Sequence, residues 1–318
     1  MDTNDYGVVQ SDRMPISMNK AKAVKVDEFY TMLPDVEAEL QHYRHFFKGK
    51  AVYCCCDNPQ YSSFCKYFSC HYDELGISSL ICTWLQDGGE KCFKAKYDWI
   101  NRSFKYYEIK GNGSYDTPDC IKIMGQSDIV VTNPPFSKSQ VFLELLISLN
   151  KKFVVVCNRN TITTKKIFPL FMEGKIKFGF GFKGDTANFV IPPMLYGQYS
   201  KDVVRGDENI VRFRNACWVT NFEIRVPVKE LLLTKKYSKR KYPKYDQYDA
   251  INVDKLTDIP LDYYGVMGVP ITILDKFDYD TFELLGLDRL MTTNNSKKRF
   301  TIKGKEKYAR ILIRRKTN

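Results

Sequence analysis

Long apolar runs are missing from this chain: none of its 318 residues falls in a stretch approaching the roughly 20 that a membrane span needs. A soluble protein is therefore expected. Histidine is scarce, at three residues, His42, His45 and His71, and no C-x2-C pairs recur at finger or ribbon spacing, so no zinc module and no metal site is expected. The opening Met-Asp-Thr-Asn-Asp lacks a basic segment followed by an apolar one, so secretion is not expected either. There is no internal repeat and no low-complexity block.

Ten cysteines are present, at 54, 55, 56, 65, 70, 82, 92, 120, 157 and 217, mostly within apolar stretches. Cys54, Cys55 and Cys56 alternate direction on an extended chain and cannot staple together. They read as reduced, buried thiols of a cytosolic protein. The length suits one sizeable domain with a substantial appendage. A formal charge of +12 and a pI near 9.1 point to a polyanionic partner.

Residues 1–17 read as a flexible tail. Asp35 then predicts the cap of a helix carrying Val36, Leu40, Tyr43 and Phe47, with Gly49 ending it. The strand Ala51 to Cys55 is followed by Asp57-Asn58-Pro59 and a helix from Tyr61 to Tyr72. Strand Leu80 to Leu85 closes in Asp87-Gly88-Gly89. An aromatic extended segment ends at Ile109, the turn Gly111-Asn112-Gly113 follows, then a helix Thr117 to Met124 and a strand Asp128 to Thr132. A helix from Val141 to Leu149, a strand from Phe153 to Cys157 and a helix from Thr163 to Met172 continue the alternation. Such succession predicts a mostly parallel α/β sheet covered on both faces. After about residue 175 the segments turn strand-like: 176–182, 189–191 and 217–226. Two basic stretches interleaved with tyrosines, 229–244 and 297–316, lie in this half and suggest a surface that tracks phosphates. The expected division is a tail over 1–17, an α/β core over 18–175, the remainder of the core sheet over 176–226, and a basic region over 227–318.

Asn133-Pro134-Pro135-Phe136 follows an apolar strand at its carboxyl end, where ligands bind in open α/β sheets. The chemistry matches an aromatic amine. The lone pair of adenine's exocyclic nitrogen is delocalised into the ring; two acceptors holding both N–H groups would draw that nitrogen toward a tetrahedral shape. Asn133 offers a side-chain oxygen and Pro134 a backbone carbonyl, kept ready because proline fixes φ and removes local donors. Phe136 can stack on a base that has left the helix. The first strand's end keeps Asp57 and Pro59 but has serines where a donor-binding turn usually has glycines; its other reading is a turn capped by Asp57.

Taken in order, Asp27-Glu28-Phe29-Tyr30-Thr31, Asp57-Asn58-Pro59 and Asn133 to Phe136 resemble the motifs of methyltransferases acting on DNA adenine. From about residue 20 onward the chain is similar to the EcoRI-type modification methyltransferases, most specifically in Tyr242-Pro243-Lys244-Tyr245-Asp246, Tyr248 to Val253, Asp258 to Tyr263 and Gly265 to Thr272. The resemblance implies a Rossmann-like S-adenosylmethionine-dependent methyltransferase sheet with a C-terminal strand-rich, basic DNA-recognition region, acting on double-stranded DNA as a monomer without a metal. It implies that Glu28, Phe29, Tyr30, Thr31, Asp57 and Pro59 bind the donor. Asn133, Pro134, Pro135 and Phe136 would hold the target adenine and Phe189 would stack on it. Lys235, Lys236, Lys239, Arg240 and Lys241 would hold DNA. Acidic residues common in relatives are missing at Gly111 to Ser114, with Asp116 a substitute, and Asp87 is a candidate for the donor ribose. A short A·T-centred palindrome such as GAATTC is the implied target. The competing functions are transfer to an RNA amine or a protein glutamine, and a catalytically silent DNA-binding relative.

Overall fold

Proline sets the first boundary. In the computed structural model a two-residue strand β1 (Tyr30–Thr31) leads into helix α1 (Leu33–Leu40), where Pro34 occupies the first turn. A proline there loses no hydrogen bond and presets φ, so the helix starts after Met32 and Asp35 lies inside the first turn rather than capping it. The chain tightens into a 3-10 stretch over Gln41–Phe46, ending the α-helix earlier than the apolar spacing predicts. The structure describes residues 29–86, 91–182, 187–191, 204–205, 210–213, 215–224, 226, 231–278, 280–291 and 299–317. The expected tail, Asp27, Glu28 and Asp87 lie outside these.

β2 (Ala51–Cys55) is followed by α2 (Ser63–Cys70) and α3 (Tyr72–Leu75), two helices where the sequence suggests one. Then come β3 (Ser79–Thr83), β4 (Cys92–Asp98), β5 (Ser103–Ile109), α4 (Pro118–Gln126), β6 (Ile129–Thr132), α5 (Ser139–Ser148) and β7 (Lys152–Asn158). α6 is short (Phe168–Met172), because Pro169 again sets its start. β8 (Lys177–Phe178), β9 (Ala187–Val190), β10 (Val204–Arg205), β11 (Ile210–Phe213) and β12 (Ala216–Thr220) follow. The strands expected over 176–182 and 217–226 are thus shorter than predicted.

The main sheet runs β5-β4-β3-β2-β6-β7-β12-β8. Its centre, β3-β2-β6-β7, is parallel, whereas β4, β5, β12 and β8 pair antiparallel. The sheet is mixed, not mostly parallel. β4 and β5 are joined by residues 99–102, too short for the crossover a parallel pair requires. Val52, Tyr53, Val130, Val131 and Phe153 through Cys157 are fully buried, as continuous apolar strands in a parallel centre should be. A second sheet runs β1-β9-β11-β10.

By packing, the chain divides into one unit of residues 1–161 and 176–223 and another of 162–175 and 224–318. The second unit adds β13 (Ile251–Asn252), β14 (Val266–Pro270), β15 (Phe282–Leu287), α7 (Asp288–Met291), β16 (Thr301–Ile302), β17 (Lys305–Glu306) and β18 (Arg310–Arg315). Its four-stranded sheet is ordered β13-β14-β18-β15, and Tyr245, Ala250, Phe300 and Leu312 form a buried cluster. Among the described residues no helix is long and apolar enough to cross a membrane. All ten cysteines are free thiols; Cys70 is exposed, Cys56 partly so, and the other eight are buried.

Candidate active site

β2 and β6 are parallel neighbours, with Val52 opposite Ile129 and Tyr53 opposite Val130. Strand order reverses between them, so their carboxyl ends form a topological switch point, the usual ligand crevice of an open α/β sheet. The loops leaving it are Asp57-Asn58-Pro59 and Asn133-Pro134-Pro135-Phe136. The fold therefore brings together two motifs that lie far apart in sequence.

A hydroxyl–carboxylate knot joins them. Thr132, the last residue before Asn133, places Oγ1 2.6 Å from Asp57 Oδ2 and also contacts the Cys55 carbonyl. Ser62 donates from Oγ to Asp57 Oδ1 at 2.6 Å and caps α2 by accepting from the N–H groups of Phe64 and Cys65. The cap is Ser62, and Asp57 acts through it. The Asp57 N–H donates to the Thr83 carbonyl at 2.8 Å, which adds the end of β3 to the same knot.

Asn133 is nearly buried, and its Nδ2 donates to the Phe29 carbonyl at 2.6 Å. A carbonyl only accepts, so this contact fixes which end of the amide faces Phe29 and turns Oδ1 away. Oδ1 is buried without a hydrogen-bond partner. Burial of an acceptor in that state costs about 1–3 kcal/mol, a cost that a ligand N–H would remove. Pro135 O accepts from the Lys138 N–H and Phe136 O from the Ser139 hydroxyl. No donor reaches the Pro134 carbonyl among the described residues. Two acceptors, Asn133 Oδ1 and Pro134 O, are thus left open on successive residues.

An aromatic wall flanks them. Phe136, partly exposed, meets Phe189 at 5.5 Å and Phe213 at 5.3 Å between ring centroids, and Phe29 lies 4.8 Å from Phe213. Phe189 is fully buried, edge-on to Phe136. β1 pairs with β9, Thr31 opposite Phe189, so the Phe29-Tyr30-Thr31 segment lies against this wall. Thr31 Oγ1 is another buried atom without a partner. Tyr30 is half-buried with its ring 6.1 Å from that of Tyr61, and Pro59 is half-buried in its loop. The Gly111 to Ser114 turn reaches the end of β3, Gln86 N–H donating to the Asn112 carbonyl at 2.8 Å. Asp116 is exposed, 3.8 Å from Lys138 Nζ.

Sequence reading missed Glu39. Its carboxylate is buried and accepts from the N–H groups of Phe180 and Gly181 at 2.7–3.0 Å and from the Tyr43 hydroxyl at 2.8 Å. A Cβ on Gly179 or Gly181 would collide with Glu39 or Trp218, so the Gly179-Phe180-Gly181-Phe182 spacing is what lets the loop close around the carboxylate. The loop delivers Phe182 onto Trp218, stacked at 5.6 Å, and 5.7 Å from Phe189. Alternating glycines were the available signal, but they read equally as a strand end.

Cys54, Cys65 and Cys82, from β2, α2 and β3, bring their sulfurs within 4.8 Å of one another, a cluster that linear spacing does not show. Burial pushes the Cys54 and Cys82 thiols well up and that of Cys92 up to about 11. A cleft of about 370 Å³ lined by Phe46, Lys50, Asp128, Lys152 and Phe222 opens at the amino ends of β2, β6 and β7, away from Asn133.

In the second unit Lys235, Lys236, Lys239, Arg240 and Lys241 are all exposed. Lys241 is 3.4 Å from Asp258; the other four make no ion pair among the described residues. Much of the remaining charge is paired internally: Lys244 with Asp249, Arg310 and Lys307 with Asp254, Arg314 with Glu283.

The family model of adenine-specific methyltransferase EcoRI matches residues 17–316. Over 94% of this chain and 96% of its own, the Type II methyltransferase M.EcoRI of Escherichia coli is 40% identical. M.MpnI of Mycoplasma pneumoniae, also a Type II methyltransferase, is 34% identical over 94% of this chain and 98% of its own. A further Type II methyltransferase, of Mycoplasma genitalium, is 31% identical over 93% and 98%. No solved structure matches the chain. The protein is an enzyme of the EcoRI family of adenine-specific methyltransferases.

Proposed function

We propose that the chain transfers a methyl group from S-adenosylmethionine to N6 of an adenine swung out of double-stranded DNA, as the modification enzyme of a restriction–modification system or a phage-encoded equivalent. The observation that carries this is the pair of open acceptors, Asn133 Oδ1 and Pro134 O. An exocyclic amine has two N–H groups to fill them, and filling both localises the nitrogen lone pair for in-line attack. Stacked within a duplex, N6 cannot reach such a recess, so the base must leave the helix. In this reading Phe136, partly exposed on the loop that carries both acceptors, is the ring that receives it.

S-adenosylmethionine, when bound, supplies an electrophilic methyl group on its sulfonium. The Thr31 hydroxyl, buried and unpartnered, and the half-buried Pro59 and Tyr30 fit a polar molecule at the switch point. Asp57 has both oxygens engaged by Ser62 and Thr132, so in this reading it holds the donor loop and the Asn133 loop in register. Transfer is direct, without a covalent enzyme intermediate. The same reading makes residues 18–175, completed by 176–226, the Rossmann-like core for donor and adenine, and 227–318 the recognition region.

Incubation with radiolabelled donor and duplex DNA, RNA or protein tests the substrate. N6-methyladenine in the duplex at one recurrent sequence is expected; label in RNA or in protein glutamine instead would overturn the proposal. Calorimetry with the donor separates the silent alternative, which predicts no saturable heat.

A further inference from the structure

The second basic stretch is not a uniform charged face. Its middle is a β-hairpin, β16 paired with β17, Thr301 opposite Glu306 and Ile302 opposite Lys305. The connecting residues, Lys303 and Gly304, both have positive φ, +49° and +74°. That is the two-residue loop whose twist matches the strands, and it normally calls for glycine or asparagine at both places. A lysine in the left-handed region needs an external hold.

Asp246 supplies it. Its carboxylate accepts from the Lys303 N–H at 3.0 Å, the Gly304 N–H at 2.9 Å and the Thr301 hydroxyl at 2.6 Å, while its own N–H donates to the Thr301 carbonyl at 2.9 Å. Gln247 exchanges two further hydrogen bonds with Thr301. At the root Phe300 is buried against Tyr245 and Tyr248, and Ile302 packs on the same cluster. The hairpin is therefore held at base and turn, while Lys303 and Lys305 are exposed and make no ion pair among the described residues. The neighbouring Lys307 is near Asp254, and the Tyr308 ring is 80% exposed.

We infer that this hairpin enters the major groove of duplex DNA and presents Lys303 and Lys305 to its acceptors. The inference rests on the DNA-methyltransferase reading above. A major groove about 12 Å wide admits a two-stranded ribbon as it stands, whereas a minor groove about 6 Å wide must first be deformed. Lysine ammonium groups are suited to guanine O6 and N7 on the groove floor and to the phosphates at its edge. Because Asp246 already occupies the amides of the turn, the backbone there takes no phosphate, and the side chains carry the contact.

The test compares wild type with Lys303→Gln/Lys305→Gln on the duplex identified by methylation sequencing. Both substitutions are exposed, and matched thermal unfolding and donor binding confirm an intact fold. The slope of log affinity against log salt should become shallower by up to about 1.8. Guanine N7 atoms protected from dimethyl sulfate by the wild type should regain reactivity at specific positions in the variant. An unchanged N7 protection pattern would overturn the inference, whatever the slope does. Wild-type protein that methylates no duplex would instead sink the reading on which it rests.

Discussion

At the scale of single residues the site depends on groups whose hydrogen bonds are left open or completely filled. Asn133→Ala removes the acceptor proposed to bind the amine and should abolish methyl transfer while donor affinity, read by calorimetry, stays near wild type. Thr132→Val keeps the shape of the β6 terminus but takes a hydrogen bond from Asp57. Loss of this buried, charge-assisted hydrogen bond should cost about 1–3 kcal/mol in denaturant unfolding and slow turnover, because the two loops lose their tie. Glu39→Ala would strand the N–H groups of Phe180 and Gly181, and about 3 kcal/mol of lost stability is expected by the same measurement. Asn133 was legible because two prolines after an apolar strand are chemically specific. Glu39 and Thr132 were not, since their partners lie at Phe180 and Asp57, far along the chain, and a lone glutamate or threonine in an amphipathic segment carries no mark of what will fold onto it.

Elements were more readable than their boundaries. The alternation of apolar runs and helical spacing located β2, β3, β6, β7 and the helices α2, α4 and α5, because burial on both faces leaves a continuous apolar signature. Strand direction at the sheet's flanks was not visible, since it depends on loop length and pairing rather than periodicity. The β16–β17 hairpin shows the same limit: its charge was plain, but its clamp required Asp246 to arrive from another part of the chain. Hydrogen bonding from the Gly304 N–H, then the Thr301 hydroxyl, holds the Asp246 carboxyl below the usual carboxylate range. The sign follows from that direction: the clamp is fully present above the ordinary value near 4 and is lost as pH falls through the lower folded value. Protection of the Lys303 and Gly304 amides, taken relative to the intrinsic exchange rate at each pH, should therefore be high at neutral pH and fall on acidification below about 4, before any loss of protection in β14 and β18; unchanged protection once the Asp246 carboxyl is protonated, as followed by NMR, would contradict the clamp.

On the scale of the molecule, composition alone suggested a polyanion partner, and within the two basic stretches the structure shows a set of charges open to one. Lys235, Lys236, Lys239, Arg240, Lys303 and Lys305 are exposed and unpaired among the described residues. If each of these displaces one counterion from DNA, the logarithmic salt slope should approach about −5, or roughly a thousandfold loss of affinity between 50 and 200 mM salt. A slope near zero would mean the surplus charge only solvates the surface. The distribution of sulfur gives the intact chain a built-in reporter. Cys70 alone among the ten thiols is exposed and Cys56 is half-covered, so a chromogenic aryl disulfide should titrate one group quickly, a second slowly, and the remaining eight only as the core opens. That staircase counts unfolded molecules without an added label, and a dye placed on Cys70 could follow DNA engagement without altering Asn133, Asp57 or the hairpin.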